Sequence, residues 1–149
     1  TARGLVVHQG KVLVTKNRGK YLGDYYTFPG GGQKPFESLS NTVVREIREE
    51  TGYLVAPIRL AAVCDEVFQA QQAREEFPKY AHKVQFIFTA KLLDPSPVAI
   101  TAPDSLQLGV EWVPLTKIHT LRLLPSLVQK NFHNMLHGTS PIYLGLEEV

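Results

Sequence analysis

The sequence predicts a layered α/β or α+β domain built on a mixed β-sheet. Three observations point to it. Apolar, β-branched runs recur at Leu5–Val7, Val12–Thr15, Tyr25–Phe28, Leu54–Cys64, Lys83–Leu93 and Val110–Val113. Only two segments, Ser38–Thr51 and Ser126–Leu136, carry apolar residues at helical spacing. Strands therefore outnumber helices, which disfavours a doubly wound parallel sheet.

Leu5–Val7 and Val12–Thr15 flank His8-Gln9-Gly10-Lys11, a glycine-containing hairpin connection. Lys16–Gly23 is polar and reads as a loop. The aromatic strand Tyr25–Phe28 stops at Pro29, before Gly30-Gly31-Gly32. In the first helix Leu39, Val43 and Ile47 recur every four residues, Glu37 or Ser38 can cap the start, and Gly52 ends it. Gln69–Ala81 is polar and reads as a loop, and the proline-rich stretch Asp94–Asp104 can be neither a helix nor a central strand. Leu115–His119 begins a helical turn. Ser126–Leu136 is an amphipathic helix with Leu127, Val128, Phe132, Met135 and Leu136 apolar, and the tail Thr139–Val149 fits no single state.

Composition limits the function classes. With 149 residues, 44 % hydrophobic and 20 % charged, residues 1–149 suit one domain and are neither disordered nor collagen-like. No run approaches the ~18 apolar residues of a membrane-spanning helix, so no membrane partner is expected. Cys64 is the single cysteine and has no internal disulfide partner. A net charge of +2 is too small to imply a nucleic-acid partner. No signal-peptide pattern is visible, and the expected location is cytoplasmic.

The chemistry concentrates between Gly31 and Tyr53. Glu46, Glu49 and Glu50 stand at i, i+3 and i+4, within roughly 100° of one helix face. Like charges so placed repel each other, and a hard divalent cation with carboxylate ligands would offset the repulsion. A solvated charged face, tied by Arg45 to Glu49 and by Arg48, is the alternative. The stripe Leu39–Val43–Ile47 borders the acidic sector and puts it at the rim of the core. The glycines just before the helix allow close backbone approach to a phosphate or a metal. They do not form a P-loop, because Lys34 is followed by Pro35.

The run Gly31-x5-Glu37-x7-Arg45-Glu46-Ile47-x-Glu49-Glu50-x-Gly52-Tyr53 resembles the Nudix box, G-x5-E-x7-R-E-U-x-E-E-x-G-U with U aliphatic. All seven invariant positions match, a coincidence of roughly one in 10⁶ at ordinary residue usage. Tyr53 departs from the usual Ile, Leu or Val. Leu5–Thr15 is similar to the family's first hairpin, Tyr26-Thr27-Phe28-Pro29-Gly30-Gly31 to its entry into the box, and Glu111-Trp112-Val113-Pro114-Leu115 to a late strand end.

The resemblance implies an α/β/α sandwich around a mixed sheet. It implies a Mg²⁺- or Mn²⁺-dependent hydrolase of nucleoside diphosphates linked to a moiety X, releasing a nucleoside monophosphate and phosphorylated X. Glu46, Glu49 and Glu50 become metal ligands, with the Gly30 carbonyl. Arg45 holds the acidic residues, Glu37 supports the site, and Glu46 or Glu49 is the candidate base. Some members use an acidic residue from a later loop, for which Glu66, Glu75, Glu76 and Asp104 are candidates. Tyr25–Gln33 with Phe86–Lys91 looks like the ADP-ribose pyrophosphatase group, and a sanitising enzyme for oxidised nucleoside triphosphates stands beside it. A non-catalytic nucleotide sensor is the reading from another class. A homodimer is the milder implication.

For the substrate, Tyr25, Tyr26 and Phe28 can stack on a base. Lys16 and Arg18 can meet phosphates. His82 and Gln85 can face the pocket. His133 and His137, four apart with no third ligand, read as surface histidines. Trp112 reads as core and Cys64 as a buried small hydrophobe.

Overall fold

The computed structural model describes residues 1–149. Its centre is one sheet of eight strands: β1 (Ala2–His8), β2 (Lys11–Gly19), β3 (Gly23–Thr27), β4 (Gly30–Gly31), β5 (Leu54–Val67), β6 (His82–Asp94), β7 (Gln107–Pro114) and β8 (Ile142–Glu148). The main path runs β3-β2-β1-β6-β5-β8, with β4 paired to β1 and β7 to β2. The β1–β6 and β5–β8 pairs are parallel and the others antiparallel, so the sheet is mixed, as expected.

Helices cover both faces. Helix α1 (Leu39–Thr51) lies on one, where Val43 and Ile47 join Ala2, Val6, Leu13, Val55 and Ala90 in an apolar cluster. The opposite face carries a larger cluster around Leu5, Val12, Val14, Phe28 and Ile87. A 3₁₀ turn (Leu115–Thr120), α3 (Ser126–Lys130) and α4 (Phe132–His137) close it through Ile118, Val128, Phe132 and Met135. Strand alternation divides the residues: Val12 and Val14 face one cluster while Leu13 faces the other. No helix is long and apolar enough to cross a membrane.

The ends of α1 follow the expected chemistry. Ser38 is the N-cap, its Oγ accepting from the Asn41 N–H at 3.1 Å. Gly52 ends the helix at φ +76°, a left-handed conformation that suits glycine. The proline-rich segment forms no helix or strand. Instead it brings the Thr101 and Ala102 N–H groups to the Glu49 carbonyl and the Val98 N–H to the Gly52 carbonyl. Carbonyls that a helix end leaves unpaired thereby gain donors. Tyr53 packs edge-on to Trp112 at 5.4 Å between ring centroids, which accounts for an aromatic where an aliphatic residue is usual.

Four local expectations change. Lys16–Gly19 is not loop but the second half of β2, because β3 and β7 pair with it from both sides. Gln69–Ala81 contains α2 (Gln71–Glu76) and a 3₁₀ turn (Pro78–Tyr80). The second long helix is interrupted at Asn131, whose φ of −105° and ψ of 12° depart from helical values although its N–H still donates to the Leu127 carbonyl at 3.1 Å. The ambiguous tail is the parallel edge strand β8.

Ile47 is fully buried between α1 and the sheet, whereas Ile58 on β5 is 67 % exposed. Ile47→Ala is expected to destabilise the fold by about 2–5 kcal/mol. Ile58→Ala should stay within about 0.5 kcal/mol of the parent. Urea unfolding measures both.

Candidate active site

The glycine segment and α1 meet residue by residue. Gly30, at φ +146°, has its N–H 2.9 Å from Glu50 Oε2. A Cβ at Gly30 would lie 2.2 Å from the Ala2 carbonyl oxygen, so β1 leaves room for nothing larger. A Cβ at Gly31 would lie 2.6 Å from the Glu46 carboxyl carbon. The Gly32 carbonyl accepts from Arg45 Nη2 at 2.9 Å.

Arg45 is the hub. Its Nε and Nη2 donate to the two oxygens of Glu37 at 2.7 and 2.9 Å, and its Nη1 donates to Glu46 at 2.8 Å and Glu49 at 3.0 Å. Glu37 also accepts from the Lys34 N–H at 3.0 Å and the Thr42 hydroxyl at 2.9 Å. Arg45, then Lys34, hold the Glu37 carboxyl down at about 2, and the same contacts raise the Arg45 guanidinium further. Glu50 differs from its neighbours. It is only 5 % exposed, and burial pushes its carboxyl up to about 7, against the opposing pull of the Gly30 N–H and Arg3.

No three acidic, histidine or cysteine side chains are gathered into a ready-made cation shell. Glu46 and Glu49 turn toward Arg45, and Glu50 toward Gly30. The donor set nevertheless suits a hard divalent cation: three carboxylates and a backbone carbonyl, one carboxylate buried without a basic ion-pair partner.

Beside this cluster opens a cavity of about 440 Å³, lined by Gly30 and Glu50 together with Arg3, Asn17, Tyr25, Glu66, Phe77, Tyr80, Lys83 and Asp104, among others. Strand alternation decides which residues reach it. Thr15, Asn17 and Gly19 of β2 line it, and Lys16 and Arg18 do not. Arg18 pairs instead with Asp24 on the surface. Tyr25 and Thr27 of β3 line it, whereas Tyr26 packs on the larger apolar cluster. Phe28 is 2 % exposed, with its ring against Phe132, so it is a core residue and not a ligand contact. Of the residues expected at the substrate, Tyr25 lines this cavity, and Arg18, Tyr26 and Phe28 do not.

Of the later acids, Glu66 and Asp104 line the cavity. Glu75 bonds Gln71 at the surface, and Glu76 holds Lys20 and Tyr21. His82 pairs with Asp65 away from the cavity, and Gln85 lies buried behind it. His133 and His137 are exposed, as expected. Cys64 is buried, which pushes its thiol up to about 12. Arg3, Asn17, Lys83 and the aromatic residues after β5 escaped the sequence reading, because no local pattern separates them from ordinary strand and loop residues.

Glu37 supplies a test of the Arg45 cluster. Its folded pKa lies below its ordinary value of 4.5, so its contribution to stability is present above pH 4.5 and is lost as pH falls through about 2. Glu37→Gln should therefore melt below the parent at pH 7, with the gap narrowing as the pH is lowered from 4.5 toward 2. A gap independent of pH in thermal melts would contradict the assignment.

Known proteins resemble this chain in sequence and in fold. The mouse protein described as nucleoside diphosphate-linked moiety X motif 6 is 28 % identical over 143 residues, covering 93 % of this chain and 42 % of its own length. An 8-oxo-dGTP diphosphatase of Buchnera aphidicola is 37 % identical over 57 residues, 38 % of this chain and 44 % of that protein. The chain thus spans less than half the length of these curated relatives. A NUDIX hydrolase structure from Nitrosomonas europaea superposes with a TM-score of 0.70 at 18 % identity, over 92 % of this chain and 87 % of that one. A family model described as NUDIX domain matches residues 1–134, and the chain belongs to that family.

Proposed function

We propose that this domain hydrolyses a phosphoanhydride bond in a nucleoside diphosphate linked to a further moiety, releasing a nucleoside monophosphate and the phosphorylated remainder. The observation that carries the reading is Arg45, which holds Glu37, Glu46 and Glu49 beside the cavity that Glu50 and Gly30 line. Glu46, Glu49, Glu50 and the Gly30 carbonyl would hold Mg²⁺ or Mn²⁺. When bound, such a cation neutralises the charge that develops on the phosphate oxygens.

The chain's own residues do the rest. Arg45 keeps Glu46 and Glu49 in place, so that one of them accepts the proton of the attacking water. Asp104 lines the cavity and is a second acid within the same site. Tyr25, Phe77 and Tyr80 give the cavity aromatic surface for a nucleobase, a contact worth about 1–3 kcal/mol per stacked base. The relatives named for moiety-X and 8-oxo-dGTP chemistry support a nucleotide substrate. An ADP-ribose-like substrate and an oxidised triphosphate are the two candidates for it.

The test is turnover with Mg²⁺ on ADP-ribose, diadenosine polyphosphates, NADH, sugar nucleotides and intact or oxidised triphosphates. At least one should be cleaved, and a chelator should abolish the reaction. The double substitution Glu46→Gln with Glu49→Gln should lower kcat at least about 100-fold while the circular dichroism stays native. Full turnover by that variant sinks the mechanism, and no turnover on any substrate favours a nucleotide sensor.

A further inference from the structure

Three cations line the cavity: Arg3, Lys20 and Lys83. Lys20 is paired with Glu76 at 2.7 Å, and Lys83 is paired with Glu66. Arg3 has only neutral acceptors. Its Nε donates to Gln85 Oε1 at 2.8 Å, and its Nη1 donates to the Phe28 carbonyl at 2.8 Å, the Gly30 carbonyl at 3.3 Å and the Thr27 hydroxyl at 3.4 Å. Its Nη2 has no protein partner, yet no nitrogen of Arg3 is both buried and unpaired. That edge of the guanidinium therefore opens to the cavity. A half-buried guanidinium that forms no ion pair and bonds only neutral acceptors, with one edge free, is suited to receive an anion.

Gln85 explains how the guanidinium is aimed. Its side chain is 1 % exposed, and its amide has one orientation that satisfies both ends. Oε1 accepts from Arg3, while Nε2 donates to Glu66 Oε2 at 2.7 Å. Glu66 is itself neutralised by Lys83. The Lys83–Glu66–Gln85 series thus fixes Arg3 through a neutral amide and leaves its charge available.

We propose that Arg3 grips a phosphate group of the substrate and that Gln85, backed by Glu66 and Lys83, is the positioning residue that aims it. The proposal rests on the nucleotide-hydrolase reading for the identity of the ligand. Its chemistry, a phosphate or pyrophosphate anion, follows from the site alone.

Calorimetric titration in chelator tests it, with inorganic pyrophosphate, the α,β-methylene analogues of ATP and GTP, and the bare nucleosides adenosine and guanosine as probes. Arg3→Gln should weaken pyrophosphate and the bound methylene analogue about tenfold or more, and leave nucleoside affinity unchanged. Arg3→Lys should recover part of the loss. Gln85→Leu should weaken the same anions with the Arg3 bonds to Phe28 and Gly30 still in place, so the test survives if Arg3→Gln fails to fold. Unchanged anion affinity in the folded variants, equal weakening of the nucleosides, or a parent that binds none of the anions overturns the proposal. A parent that binds pyrophosphate but neither analogue, with that binding lost in the variants, upholds the anion site while refuting the nucleotide reading.

Discussion

The guanidinium of Arg45 is the constraint on which the site depends. It binds Glu37 from the loop, Glu46 and Glu49 from its own helix, and the Gly32 carbonyl. Without it three carboxylates would face one another across the mouth of the loop with only Lys34, 3.8 Å from Glu49, as counter-charge, and like charges close together repel. With it, the glycine segment is stitched to α1 and the helix is oriented on the sheet. The small clearance at Gly31, where a Cβ would meet the Glu46 carboxyl, follows from the same closeness.

Charge is arranged in two ways around this centre. Glu37, Glu46 and Glu49 share Arg45 as a common hydrogen-bond donor. Glu50 is buried with a single backbone donor from Gly30, and burial drives it toward the neutral form. A site with one carboxylate in that state gains most from a cation, which the sequence suggested through repulsion and the structure suggests through desolvation. Elsewhere in the cavity wall the order is reversed: Lys83 is paired with Glu66, while Arg3 bonds only neutral acceptors.

The box was legible because it is local. Glu37, Arg45, Glu46, Glu49 and Glu50 lie within fourteen consecutive residues on one loop and one helix, where periodicity translates directly into position. The cavity walls were not legible for the opposite reason. Reading Lys16–Gly19 as loop hid the alternation of β2, and with it the fact that Asn17 faces the cavity while Lys16 and Arg18 face away. The polar segment after β5 offered no periodicity from which its helix and cavity-facing aromatics could be inferred.

By itself, then, the sequence determined the class of domain, the helix that bears the carboxylates, its caps at Ser38 and Gly52, and the identity of the acidic residues. Each of these depends on contacts within a few residues of the chain. Only the tertiary structure decided which residues form the cavity, because its walls come from β1, β2, β3, β5, β6 and the segments between them. Arg3 and Gln85 are 82 positions apart and meet only because β1 and β6 pair in parallel. Strand register, set by the burial of two apolar faces at once, is a property of the whole sheet, and no local segment encodes it alone.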